Sequence, residues 1–180
     1  MLVGLVNNID SKESFIIART IKILGTKVPF ICGIMLIEVD NMDLIKIEKF
    51  IDKQKVSFIC SVDEDNCPNV KAMLKPRKRN GLKEFYFSTN TSSMRVKQYQ
   101  KNPNASIYFY HKGLIKYVGV MLKGKMEVLT DQETKNMIWR KGDTMFYKKG
   151  VTDPDYCVLK FTATSGRYYC DLKTESFEIK

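Results

Sequence analysis

Residues 88–93 read Ser-Thr-Asn-Thr-Ser-Ser, six small polar side chains in a row, and Arg95 follows two positions later. The run ends an apolar stretch and opens what reads as a helix over 92–101, so its hydroxyls and free backbone amides gather at a helix N-terminus. Such an end carries roughly half a positive charge and ordinarily attracts Asp or Glu into the first turn. Here no acid occurs from Thr91 to Pro103, while Arg95 and Lys97 occupy the first two turns and Lys101 follows. Hydroxyls, amide hydrogens and a guanidinium at this spacing are the chemistry of anion binding, and of phosphate above all. A capped helix without a ligand is the competing reading, since Ser, Thr and Asn are also the commonest caps.

Other chemistries are poorly served. The one histidine, His111, excludes most zinc sites and most Ser-His or Cys-His nucleophile systems, and "YHKG" places it on an exposed turn. Five cysteines (32, 60, 67, 157 and 170) form no pair at metal-ligand spacing, and without a secretion signal they read as reduced thiols of a cytoplasmic protein. The acids of "DEDN" at 63–66 lack calcium-loop spacing and its glycine, which leaves a solvent-facing turn. "PRKRN" at 76–80 has three consecutive cations on an expected hairpin tip, but no aromatics interleave with them as single-strand binding requires, so a solvated loop is expected and nucleic acid is not.

The elements that must position the polar run follow from composition and period. At 180 residues, 44% apolar and 28% charged, the chain has the balance of a globular domain, and its net charge of +10 points to an anionic partner. Residues 1–41 hold four cations and four acids, so the whole excess falls in 42–180, with 26 cations against 16 acids. The pattern changes at the same place. "VPFICGIMLI" at 28–37 is interrupted by Pro29 and Gly33 and is too short for a bilayer, which takes ~20 residues, and no membrane association is expected. From Met42 a helical face of Leu44, Ile47, Ile51 and Phe50 sets in. The reading is a natural start at Met42, with 1–41 an N-terminal extension that is weakly ordered or over-called, and a domain over 42–180; a packed N-terminal helix and strand is the alternative.

Strand signals dominate the domain. They fall at 56–62, 69–75, 82–88, 105–110 and 115–129, the last with a bend or bulge at Gly124. Asp131 caps a second helix in "DQETKNMIWR", and "YCVLKFTAT", "GRYYCDL" and the tail "SFEIK" close the chain as further strands. Six or more antiparallel strands with two inserted helices predict a mainly β fold, a barrel with helical outliers.

The blocks "CPNVKAMLK", "LKEFYFSTNTSSMRVKQYQKNPNASIYFY", "YVGVMLKGKMEVLTDQETKNMIW" and "GVTDPDYCVLKFTATSGRYYCDL" resemble, in order and spacing, those of the pyridoxamine 5'-phosphate oxidase-like flavoproteins of the general stress protein branch. The resemblance runs from about Lys55 to about Lys173. It implies a six-stranded antiparallel Greek-key split β-barrel, a homodimer, and FMN in a groove between the subunits. Carried onto this chain, Lys71 is the cation on the strand beside the flavin, and Met73 and Leu74 give backbone to its edge. Phe87, Ser88, Thr89 and Asn90 meet the ribityl chain and phosphate, and Ser93 and Arg95 are the phosphate ligands. Trp139 and Tyr168 or Tyr169 stand near the partner subunit's flavin, with packing as their alternative role.

The resemblance further implies flavin-dependent oxidation or reduction of a small molecule, with no catalytic side chain required because hydride chemistry belongs to the flavin. The chain ends "TESFEIK", without the basic, proline-containing end of the true pyridoxamine phosphate oxidases, so vitamin B6 oxidation is not expected. A non-enzymatic flavin carrier or sensor, a deazaflavin or haem binder, and a basic nucleic-acid module are the rival readings.

Overall fold

The computed structural model describes residues 41–114 and 116–180. The extension expected over 1–41 lies outside the described residues, Asn41 excepted. Helix α1 (Asn41–Lys53) turns Ile47 and Ile51 into the core with Leu44 and Phe50 beside them, which is the face its period predicts.

Eight strands follow: β1 (Val56–Val62), β2 (Pro68–Leu74), β3 (Lys78–Asn80), β4 (Glu84–Asn90), β5 (Asn104–Lys112), β6 (Tyr117–Leu129), β7 (Tyr156–Cys170) and β8 (Lys173–Glu178). Helix α2 (Met94–Lys101) joins β4 to β5, and α3 (Gln132–Ile138) with two short 3-10 turns joins β6 to β7. All pairings are antiparallel, in the order β2-β1-β5-β6-β7-β4-β3, with β8 also on β7. The end strands β2 and β3 do not pair with each other. The barrel is therefore split, with eight strands where six were expected.

Three local expectations meet a different outcome. "YCVLKFTAT" and "GRYYCDL" are one strand, β7, which pairs with β4 along Tyr156–Thr162 and with β8 along Ser165–Cys170. Gly166 is no breaker there, because a Cβ on it would lie 2.3 Å from Phe177 Cζ. The glycine lets the Phe177 ring lie on the strand. His111 is exposed as expected but belongs to β5, opposite Val118, and the turn comes later, where Gly113 N donates to Lys116 O at 2.8 Å. Finally, "PRKRN" is no solvated loop, since Lys78–Asn80 pair with β4 and both arginines are ion-paired.

Other local readings hold. The register shifts between Lys123 and Gly124, where a Cβ would approach Thr162 O to 2.0 Å, so the expected bulge is present. Asp131 Oδ1 accepts from Thr134 N at 2.8 Å as the α3 cap. Asp63 organises its turn by accepting from the Asn69 side chain and from the amides of Cys67 and Asp65, which hold its carboxyl below the usual range, Asn69 above all.

One face of the sheet carries the core. Phe85 meets Phe109 and Phe161 with ring centres 6.0 and 6.3 Å apart, and Ile59, Ile107, Leu122, Met126 and Leu159 fill in around them. Helix α2 closes this core with Val96 and Tyr99, and is anchored to β1 by Tyr99 OH on Cys60 O at 3.1 Å and Ser61 Oγ on Gln98 Oε1 at 2.6 Å. Burial raises the Tyr99 phenol to about 12. This anchoring fixes where the N-terminus of α2 points.

Candidate anion and cofactor site

Strand β4 delivers the polar run to the start of α2 with its residues alternating between two surroundings. Phe85 and Phe87 enter the main core, while Tyr86 packs with Ile138 and Val158. Ser93 is the residue before α2, with φ −68 and ψ 141, yet its hydroxyl makes no capping hydrogen bond. No acid stands in the first turn. The side chain Oγ1 of Thr91, Oγ of Ser93 and Nε of Arg95 are buried and have no hydrogen-bond partner. A buried unsatisfied polar group costs about 1–3 kcal/mol, so three within one turn of chain are a concentration that a capped helix alone does not explain. Arg95 Nη2 reaches only Met73 Sδ at 3.8 Å and Thr89 Oγ1 at 3.5 Å, both weak contacts for a guanidinium.

The loop itself is braced. Asp155 accepts from Asn90 Nδ2 and from Ser92 N, each at 2.8 Å, and its carbonyl accepts from Thr91 N at 2.9 Å. These bonds hold the Asp155 carboxyl below its ordinary range, Asn90 contributing most. The effect is to fix residues 90–92, the segment that leads into Ser93 and Arg95 at the start of α2.

The expected site residues separate into groups. Met73 and Thr89 meet the Arg95 guanidinium, and Ser93 stands two residues before it at the start of α2. Asn90 is committed to Asp155 and so positions the loop. Phe87 is buried in the core, which leaves its backbone alone available along β4. Ser88 Oγ receives Arg77 Nε at 3.3 Å. Lys71 is exposed on β2 opposite Ile59, and Leu74 is 70% exposed at the end of that strand. Trp139 stands edge-on to Tyr156 at 5.1 Å, with Tyr147 4.7 Å from Tyr156, and Tyr156 pairs with Asn90 across β7 and β4. Tyr169 lies at the opposite end of β7, opposite Gly119, and is not brought to Arg95 within one chain. Beside it Tyr168 lies under Lys46 Nζ at 5.4 Å, its phenol raised to about 12, chiefly by burial.

Several residues escaped the sequence reading. Thr91 was inside the polar run and its unpartnered hydroxyl could have been suspected from that position. Asp155 gave no signal, because its partners are over sixty residues away, as is Asp143 from Arg77. Arg77 Nη2 bonds Asp143 Oδ1 at 2.6 Å, the side chains being 14% and 4% exposed. Asp143 Oδ2 also accepts from Arg140 N at 3.0 Å, which ties the segment carrying Trp139 and Tyr147 onto the β2–β3 connection. Arg79 meets Asp52 at 2.6 and 2.8 Å and Glu48 at 3.2 Å, joining β3 to α1.

Register places Val56 and Phe58 of β1, Val70, Ala72 and Leu74 of β2, Tyr108 and Tyr110 of β5, and Tyr169 of β7 on the sheet face away from the core. Val70 is 64% exposed there, and Tyr108 and Tyr110 stack at 6.4 Å. No group of metal-ligating side chains occurs among the described residues, and none of their helices is long and apolar enough to cross a membrane.

Comparisons with known proteins agree with this architecture. A sequence model of the pyridoxamine 5'-phosphate oxidase family matches residues 45–170. Among solved structures, a Clostridium acetobutylicum protein related to general stress protein 26 of B. subtilis, of the pyridoxinephosphate oxidase family, is 38% identical; the match covers 78% of this chain and 96% of that one at a TM-score of 0.69. General stress protein 26 from Bacillus anthracis is 18% identical over 76% of this chain and 98% of that one, with a TM-score of 0.61. A haem-binding protein from Mycobacterium smegmatis shares the fold at 12% identity and a TM-score of 0.61, covering 75% of this chain and 57% of that one. No curated protein matches the chain. The family match over most of the domain, together with a 38% identical relative matched along nearly its whole length, establishes that this chain belongs to the pyridoxamine 5'-phosphate oxidase family.

Proposed function

We propose that this protein is an FMN-binding flavoprotein that oxidises or reduces a small molecule and works as a homodimer. The observation that carries the reading is the set of buried, unpartnered polar atoms on Thr91, Ser93 and Arg95 at an acid-free helix start. A phosphate monoester fits it, offering oxygens that accept from two hydroxyls and a guanidinium while its charge is favoured by the helix dipole. Family membership makes the phosphate of FMN the natural occupant. The flavin, when bound, supplies the electron and hydride chemistry. The chain's own part is to hold the phosphate at Ser93 and Arg95 and to give the β2 backbone at Met73 and Leu74 to the ring edge.

The apolar outer face supports the dimer. Exposed valines, leucine and tyrosines on adjacent strands are a surface that a second copy would cover. A second subunit is also what would bring a Tyr169 to the flavin, since the chain's own Tyr169 stands at the far end of β7.

The visible spectrum tests the cofactor class. Protein incubated with FMN and freed of excess ligand is expected to retain the visible absorption bands of the flavin; a Soret band after incubation with haemin, with no retention of FMN, would replace the reading by haem binding. Reduction of the bound flavin by NADH or NADPH, followed by reoxidation with an added acceptor, separates an oxidoreductase from a carrier or sensor that holds the flavin without turnover.

A further inference from the structure

On the sheet face away from the core, Cys60 of β1 pairs with Ser106 of β5, and Ser106 with Lys123 of β6, a row that begins with two small side chains. The neighbouring row is Phe58, Tyr108 and Met121, large throughout. Tyr108 leans off the small row, because a Cβ on Gly119 would lie only 2.2 Å from Tyr108 Oη and Gly119 stands opposite Tyr110, one row further away from Ser106. The bare glycine lets the tyrosine tip over onto it and stack with Tyr110. A cavity of about 500 Å³ is left over Cys60 and Ser106. Val62, Pro68 and Met121 make its walls largely apolar, and its only charged lining residues are Lys123 and Lys125, with no acid. Both lysines are exposed, and among the described residues neither forms a salt bridge.

We infer that this cavity binds an amphiphilic carboxylate, a molecule of the size of a medium-chain fatty acid with one anionic head. Apolar walls draw the tail out of water, and the head meets two ammonium groups that have no other counter-ion. The volume falls within the ~300–1,000 Å³ usual for small-molecule sites. A second copy of the chain is the competing occupant, and charge argues against it, since that copy carries the same net +10. Met73 and Leu74 pair with Ser57 and Val56 at the other end of β1, so the inference does not rest on the flavin reading.

The test is calorimetric titration of the 180-residue chain, with and without FMN, using decanoate as the probe, decanol as its uncharged counterpart and butyrate as its tailless one. Decanoate is expected to bind saturably in both states, decanol about tenfold more weakly, and butyrate not at all. Lys123→Ala and Lys125→Ala should each weaken decanoate by about three- to tenfold and leave decanol unchanged. Ser106→Leu, which fills the cavity, should abolish binding of both. The lysines are exposed, so their variants keep the test decisive even if the filling variant loses melting temperature. Cys60 reports from inside the cavity: decanoate should slow its alkylation by iodoacetamide, read by peptide mass spectrometry, while exposed Cys67, outside the cavity, reacts as before. Absence of saturable binding, equal affinity for decanoate and decanol, unchanged binding in the lysine variants, or a Cys60 that decanoate does not protect overturns the inference. So does a Cys60 that is unreactive in a dimer and reacts once dilution separates the chains, which would give the cavity to a second copy.

Discussion

Arg95→Ala is expected to weaken FMN binding by roughly 10- to 150-fold, the equivalent of one charged hydrogen bond of about 1.5–3 kcal/mol, while riboflavin binds almost as before. The two ligands differ only by the phosphate, so their ratio reads the contact and cancels general damage. Arg95 has no acid to hold it, its Nε is buried without a partner, and its contacts with Met73 and Thr89 are weak. Removing it therefore deletes little from the free protein and much from the complex. Ser93→Ala should show the same selectivity on a smaller scale, because a neutral hydroxyl contributes less and nearby amides still face the phosphate. Lys78→Ala controls for diffuse attraction, which added salt screens; Lys78 is exposed on β3 and touches Met137 Sδ at 3.1 Å. Equal losses for both flavins in a folded Arg95→Ala protein would remove the phosphate from this place.

Asp143→Ala is expected to cost about 3–5 kcal/mol of folding stability, because it leaves the Arg77 guanidinium buried without its counter-ion. The change also strips Arg140 N of its acceptor and loosens the segment that carries Trp139 and Tyr147. Urea unfolding measures it, with Lys116→Ala as the comparison. Lys116 pairs with Asp171 at 2.8 Å, but the side chains are 69% and 47% exposed, and solvent screens such a pair so that its loss should leave the unfolding midpoint nearly unchanged. Replacing Arg77 and Asp143 together by Met and Leu should recover much of the loss, since the penalty belongs to the stranded charge more than to the absent attraction. A loss below about 1 kcal/mol in Asp143→Ala would mean that the pair is solvated and does not dock the 139–147 segment.

What could be read from sequence was what local chemistry decides. Strand β1 was expected at 56–62 and is found there, the Asp131 cap and the Gly124 bulge are present, and the helix expected over 92–101 begins at Met94 with no acid in its first turn. Misreadings arose where a distant partner overrides a local signal. Gly166 looked like a break between strands because the Phe177 ring that requires it belongs to the next strand. "PRKRN" looked solvated because the acids it meets lie in α1 and after α3. The polar run marked Ser93 and Arg95, but nothing in it could show that Asn90 serves Asp155 or that Tyr169 ends far from Arg95. Which residues face a second subunit is a property of two chains, and one chain's pattern shows only the apolar face left over.

Fluorescence titration of the 180-residue chain with FMN and with riboflavin tests the central claim most directly. The account predicts saturable binding of one FMN per chain, with riboflavin bound at least ten times more weakly, on the order of one phosphate contact of 1.4 kcal/mol or more. FMN and riboflavin bound with equal affinity, or neither bound at all, would contradict it.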